Sequence, residues 1–128
     1  MTVLAVLLVP VLLLASGLVL DGGAALSTKD RVLGEAAEAA RAGADALDVM
    51  AYRQTGDAVP DPVRARFAAE RYLAATGDHY TVTVSADSVN VSVTADYRTQ
   101  LLNLGGLDVI HVAGHATAHP VTSDASRS

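Results

Sequence analysis

The first twenty positions, MTVLAVLLVPVLLLASGLVL, carry no charged side chain, and Asp21 is the first charge in the chain. A helix rises about 1.5 Å per residue, so this run would be roughly 30 Å long, the thickness of a bilayer's hydrocarbon. The pattern predicts a transmembrane helix over 1–20, because in lipid a backbone must satisfy its own hydrogen bonds whatever its Val content. Pro10 lies mid-run, where it removes one helical hydrogen bond and is expected to kink the helix. A cleaved secretory signal peptide is the competing reading. The run exceeds a usual signal-peptide core, no basic residues precede it, and the small-residue sites at Ala15/Gly17 and Gly22/Ala24 are mediocre. A retained anchor is therefore the expectation.

From Asp21 to Arg53 the chain is rich in Ala and free of Pro, which predicts that the membrane helix continues into water over 21–53. Leu26, Leu33, Ala40 and Leu47 recur every seven residues, with Ala37, Ala44 and Ala51 offset by four, so a narrow apolar seam is expected along one side. Arg31 with Glu35, and Glu38 with Arg41, are spaced to pair on the other faces. A seam of Ala and Gly lets another backbone come close but buries little area, so it needs a partner. That partner is either this chain's own sheet or other subunits. The Gly22-Gly23 pair reads as a hinge at the membrane surface.

Gln54 to Asp61 reads as a loop, and Asp61 followed by Pro62 as a helix start, a capping side chain before a residue that needs no N–H donor. The helix is expected to run to about Thr76, offering Val63, Phe67 and Leu73 for packing, with Gly77 as its stop. The period then changes to two. Val82 and Val84 alternate with Thr, and Val89, Val91 and Val93 with Asn90, Ser92 and Thr94, across a tight turn at Ala86-Asp87-Ser88. Arg98 to Gly106 looks like a short helical turn ending at a Gly pair, and Leu107 to His119 returns to strand, with Ile110, Val112, Ala116 and Ala118 on one face. The fold class is α+β: a long N-terminal (transmembrane) helix, a second short helix and a small three-stranded antiparallel sheet, pilin-like in outline. Residues 54–119 form the extracytoplasmic domain in this reading, and the tail over 120–128 is expected to be disordered.

Composition narrows the function. Apolar residues make up 51% of the 128 positions, yet aromatics are 4%, with no Trp and one Phe, so a bulky, aromatic-lined ligand pocket is not expected. The net charge is −5 and no cluster of Lys or Arg is dense enough to neutralise a run of phosphates, which argues against nucleic acid as a partner. Without Cys there is no disulfide, thiolate metal site or Cys nucleophile. His111, His115 and His119 are spaced by four, which suits a metal site on a helix. On a strand, residues four apart stand about 13 Å from each other, too far to share an ion. The alternating pattern favours the strand, so no metal, cofactor or catalytic residue is assigned. No nucleophile elbow, P-loop or zinc-protease motif is found, and an enzyme is not expected. Asp21 is read as marking the membrane interface, with a specific partner contact as the alternative. Asn90-Val91-Ser92 fits a glycosylation sequon, a weak signal on an alternating strand.

The apolar helix with Pro10 inside it, the DGG at 21–23, the AARAGA at 39–44 and the Val/Thr-rich tail together resemble the TadE/TadG-like proteins of the tight-adherence (Flp) pilus machinery, in their actinobacterial version. The resemblance covers residues 2 to about 50. It implies a minor pilin-like or pseudopilin-like subunit of a pilus assembly or envelope secretion system, whose N-terminal helix packs among other pilus or envelope-assembly proteins. In two respects the sequence departs from typical prepilins: it has no basic leader ending in Gly, and no Glu within the first 20 residues. The N-terminal flank offers no Lys or Arg to the positive-inside rule, and long domains translocate largely regardless of charge. The expected location is the cell membrane, single-pass, with the C-terminal domain outside the cytoplasm. A solitary envelope-anchored or secreted binding module, using the Thr, Asn and His face of its sheet, is the alternative function.

Overall fold

In the computed structural model a single helix, α1, runs from Thr2 to Arg53 and forms both the apolar stem and one wall of the domain. The structure describes residues 1–53 and 61–120, excluding the side chains of 48–53; the expected loop over 54–60, the seam position Ala51 and the tail from 121 lie outside the described residues. Pro10 sits within α1, with helix on both sides. Gly22 and Gly23 are helical too.

A second helix, α2 (Pro62–Leu73), starts as its sequence predicts. The Asp61 carboxylate accepts from the amides of Val63 (3.0 Å) and Arg64 (3.4 Å), two donors that the first helical turn leaves without partners. It stops at Leu73, slightly short of Thr76, because the Thr76 amide and hydroxyl both turn back onto the Leu73 carbonyl. Gly77 then takes a positive φ of 77° and reverses the chain.

Three antiparallel strands follow in the order β1 (His79–Val84), β2 (Val89–Arg98) and β3 (Val109–Ala118). Val82 faces Val91 across β1 and β2, while Ser92 faces His115 and Asp96 faces His111 across β2 and β3. A 3-10 helix, Leu102–Gly105, joins β2 to β3 and closes with Gly106 at φ 92°. The α+β class and the three-stranded antiparallel sheet are thus as the alternating pattern predicts.

The core lies between the sheet and the two helices. Val82, Val89, Val91, Val93, Ala95 and Val112 point inward from the sheet onto a stripe of α1 made of Val32, Ala36, Ala39, Ala40, Ala44 and Leu47. From α2 the buried residues are Ala65, Ala69 and Leu73. Leu73 packs as expected, but Val63 and Phe67 remain exposed, at 74% and 66%. Each is two residues from Ala65, which at about 100° per residue places it roughly 160° around the helix from that buried position. The helices meet through small residues because α1 presents Gly43, where an added Cβ would stand 3.1 Å from the Ala65 carbonyl oxygen and 2.9 Å from Val89. A Phe on that face would hold the helices apart.

Both ion pairs expected along α1 form, Arg31 with Glu35 at 2.6 Å and Arg41 with Glu38 at 3.0 Å. Arg31 also reaches Asp78 at 2.7 Å, tying α1 to the segment before β1.

Candidate membrane anchor and its junction with the domain

Of residues 1–20 only Gly17 is buried. Just 6% of the most apolar 18-residue window of α1 is buried by the rest of the molecule, so this window is not part of the domain's own core. Leucines and valines stand exposed all round the stem, so it is built for surroundings as apolar as itself.

Where the stem meets the domain, Asp21 is buried to 2% relative exposure. Its Oδ1 accepts from the Gln100 amide at 3.0 Å and the Tyr97 hydroxyl at 3.3 Å. Its Oδ2 accepts from the amides of Leu101 and Leu102, both at 2.8 Å. Those three amides lead from the end of β2 into the first residue of the 3-10 helix, so the carboxylate acts as a cap supplied by a different element. The Gln100 amide, followed by the amides of Leu102 and Leu101 and the Tyr97 hydroxyl, holds the Asp21 carboxyl below its ordinary value of 3.8, against the opposing effect of burial. Burial, and then the neighbouring Asp21 carboxylate, pushes the Tyr97 hydroxyl above its ordinary 10.0.

The same connection lies along the stem. A Cβ at Gly17 would come within 2.9 Å of Leu101 Cβ, and the Cβ position of Gly105 is 3.9 Å from Leu14 Cδ2. The connection also binds itself: the Thr99 amide bonds to the Asp108 carbonyl at 3.0 Å, and its hydroxyl to the Leu107 carbonyl. The amides of Leu104, Gly106 and Leu107 bond to the carbonyls of Leu101, Asn103 and Leu102.

The seam residues are divided by the fold. Ala40, Ala44 and Leu47 are buried in the domain's own core; Ala37 is half-buried, and Leu33 and Leu26 are exposed at 37% and 66%. The buried stripe instead passes through Val32 and Ala36, one position earlier. A strict seven-residue spacing drifts about 20° per repeat around a straight helix, so three repeats back from Leu47 bring Leu26 off the core face by about 60°.

His111 and His115 sit on the exposed face of β3, and His119 just beyond it. His111 Nδ1 lies 2.6 Å from Asp96 Oδ1, its cross-strand neighbour, and His119 Nδ1 lies 2.9 Å from the Asp87 carbonyl. Among the described residues no three His, Cys, Asp or Glu side chains are placed to share an ion. Asn90 is exposed, and its amide oxygen accepts from Thr117 at 2.6 Å.

An uncharged stem that ends at a buried acid is the part of this chain that comparison reaches. Residues 1–46 match the family model described as "Putative Flp pilus-assembly TadE/G-like". The match spans the stem, Asp21 and most of the buried stripe of α1, and stops before α2 and the sheet. No curated protein and no solved structure matches the chain. The TadE/G-like match and the long apolar helix together support a membrane component of a pilus-assembly system.

The sequence reading named Asp21 but not its partners. Three of them are backbone amides, which have no signature in sequence, and the fourth, Tyr97, is one of four tyrosines without a distinguishing pattern.

Proposed function

We propose that this chain is a single-pass membrane subunit of a Tad/Flp pilus assembly or related envelope secretion system, with a minor pilin-like or pseudopilin-like role. Its domain lies outside the cytoplasm, and it acts by helix packing, without chemistry of its own. The observation that carries this reading is a stem that its own domain leaves almost wholly uncovered, within the segment that matches the TadE/G-like model. Lipid satisfies such a stem, and so do the apolar helices of other subunits, which pack by shape and close approach. The Ala40, Ala44 and Leu47 part of the seam is occupied by the domain, so contacts with other subunits fall on 2–20 and on the exposed Leu26 and Leu33.

Because the chain has no Cys, single cysteines at Leu4, Leu8, Leu26 and Leu33 can be cross-linked in envelopes of the native host. The expected products contain identified pilus-assembly proteins. Absence of such products from all four positions counts against the proposal, as does a mature N-terminus beyond residue 20 by mass spectrometry. Loss of function on replacing His111 and His115, with stem substitutions tolerated, would favour the binding-module alternative.

A further inference from the structure

We propose that the connection between β2 and β3 is a second membrane-contacting element, inserting its leucines into the same leaflet that receives the C-terminal end of the stem. This rests on the reading of residues 1–20 as a membrane span.

Position is the first argument. Gly105 lies beside Leu14, and Leu101 beside Gly17. Leu14 is seven residues, about 10 Å along the helix, on the membrane side of Asp21. An element beside Leu14 is therefore level with side chains that a spanning stem places in hydrocarbon. That depth is typical of elements that lie in a membrane interface, roughly 5–10 Å below the headgroups.

Composition is the second. Between Arg98 and Asp108 the stretch TQLLNLGGL has no charge. Leu104 is exposed at 84% and Leu107 at 49%, and Leu101, though it packs against Gly17, keeps 37% exposure, all within a nine-residue stretch. They add to the stem's exposed apolar surface, of which Leu14, beside Gly105, is itself exposed at 50%. Water would penalise that surface, and hydrocarbon removes the penalty.

Backbone chemistry is the third. Irregular chain enters hydrocarbon only where its amides and carbonyls are already satisfied. Asp21 takes the amides of Gln100, Leu101 and Leu102, and internal bonds take the amides of Thr99, Leu104, Gly106 and Leu107 and the carbonyls of Leu101, Leu102, Asn103 and Leu107. The buried carboxylate thereby prepares a loop to leave water. With stem and loop both inserted, the domain has two attachments to the bilayer and a fixed orientation over it.

The test uses the full chain in phosphatidylcholine–phosphatidylglycerol vesicles, with a nitrobenzoxadiazole probe on a single cysteine. Leu104→Cys is the main site, chosen because its exposure means that the change removes no packing, and Leu107→Cys repeats it. Leu8→Cys marks the span and Thr83→Cys the outer face of the sheet. The expected result is that probes at 104 and 107 are quenched by acyl-chain nitroxides and shielded from aqueous iodide, as at position 8, while the probe at 83 shows the reverse. A probe at 8 in lipid with probes at 104 and 107 as open to iodide as that at 83 overturns the loop proposal and leaves the span standing. Shielding at 104 that occurs only in native envelopes, and not in these vesicles, also overturns it by assigning the loop to a protein partner. A probe at position 8 open to iodide overturns the span and the loop together.

Discussion

Asp21 shows how one side chain converts an apolar helix into a positioned one. Its two oxygens accept four hydrogen bonds, three of them from consecutive amides of a distant segment. Its folded-state pKa is lowered, so its contribution to the junction is present above the ordinary value of 3.8 and is lost as pH falls through the lowered one. In detergent micelles the amide chemical shifts of Gln100, Leu101 and Leu102 should therefore stay constant from neutral pH to about pH 4 and move only below it. Asp21→Asn should remove that low-pH movement and speed amide exchange at all three positions, since one carboxamide oxygen replaces two charged acceptors. Shifts that titrate well above pH 4 would contradict the arrangement. Little of this was legible from the residues themselves. Asp21 was conspicuous as the first charge, but nothing in the sequence pointed to amides some eighty positions away. Gly114 lies within the strand pattern of 107–119, where no local signal accounts for it. Its reason is spatial: an added Cβ would stand 2.8 Å from the Leu33 nitrogen and 2.9 Å from the Val32 carbonyl carbon, so β3 meets the α1 backbone there.

Elements were more legible than their contacts. Alternating Val positions gave the strands, and the Asp61-Pro62 start gave α2, because both signals are local. Which face of α2 turns inward depends on what it meets. Hydrophobic size favoured Val63 and Phe67, whereas the small-residue surface of α1 admits Ala65, Ala69 and Leu73. The stripe on α1 was offset for a related reason: seven-residue spacing suits supercoiled partners, and a straight helix packed on a sheet follows 3.6. Two truncations distinguish the faces of α2. Leu73→Ala should cost about 2–5 kcal/mol of domain stability. Phe67→Ala should change it by no more than about 0.5 kcal/mol, as exposed positions usually do. Equilibrium denaturation of the full chain in micelles measures both. Equal losses would mean that Phe67 is packed against something in the folded chain.

At the scale of the whole molecule, α1 is both the membrane stem and the longest wall of the core, and it joins two separate attachments. One is the stripe from Val32 to Leu47 under the sheet; the other is the junction of Gly17 and Asp21 with the segment 97–105. Each residue turns a helix by about 100° and advances it about 1.5 Å, so the two attachments are in register only for the native number of residues between them. One Ala inserted between Gly22 and Gly23 adds no clash, since neither position has other atoms within 4 Å of an added Cβ, but it turns the whole stem by about 100° against the core. Asp21 should then face away from Gln100, Leu101 and Leu102, and their amides should lose protection from exchange while those of β2 near Val91 keep theirs. The same Ala inserted after Val9 lies on the far side of Leu14 from the domain, so it should leave both attachments intact and all of these amides protected. If the Gly22-Gly23 insertion left Gln100 to Leu102 protected, the glycine pair would be absorbing the turn as a hinge. The stem would then not fix the domain's orientation. Loss of protection from that insertion alone would show that α1 transmits the rotation of its membrane end directly to the domain, as the proposed role by helix packing requires.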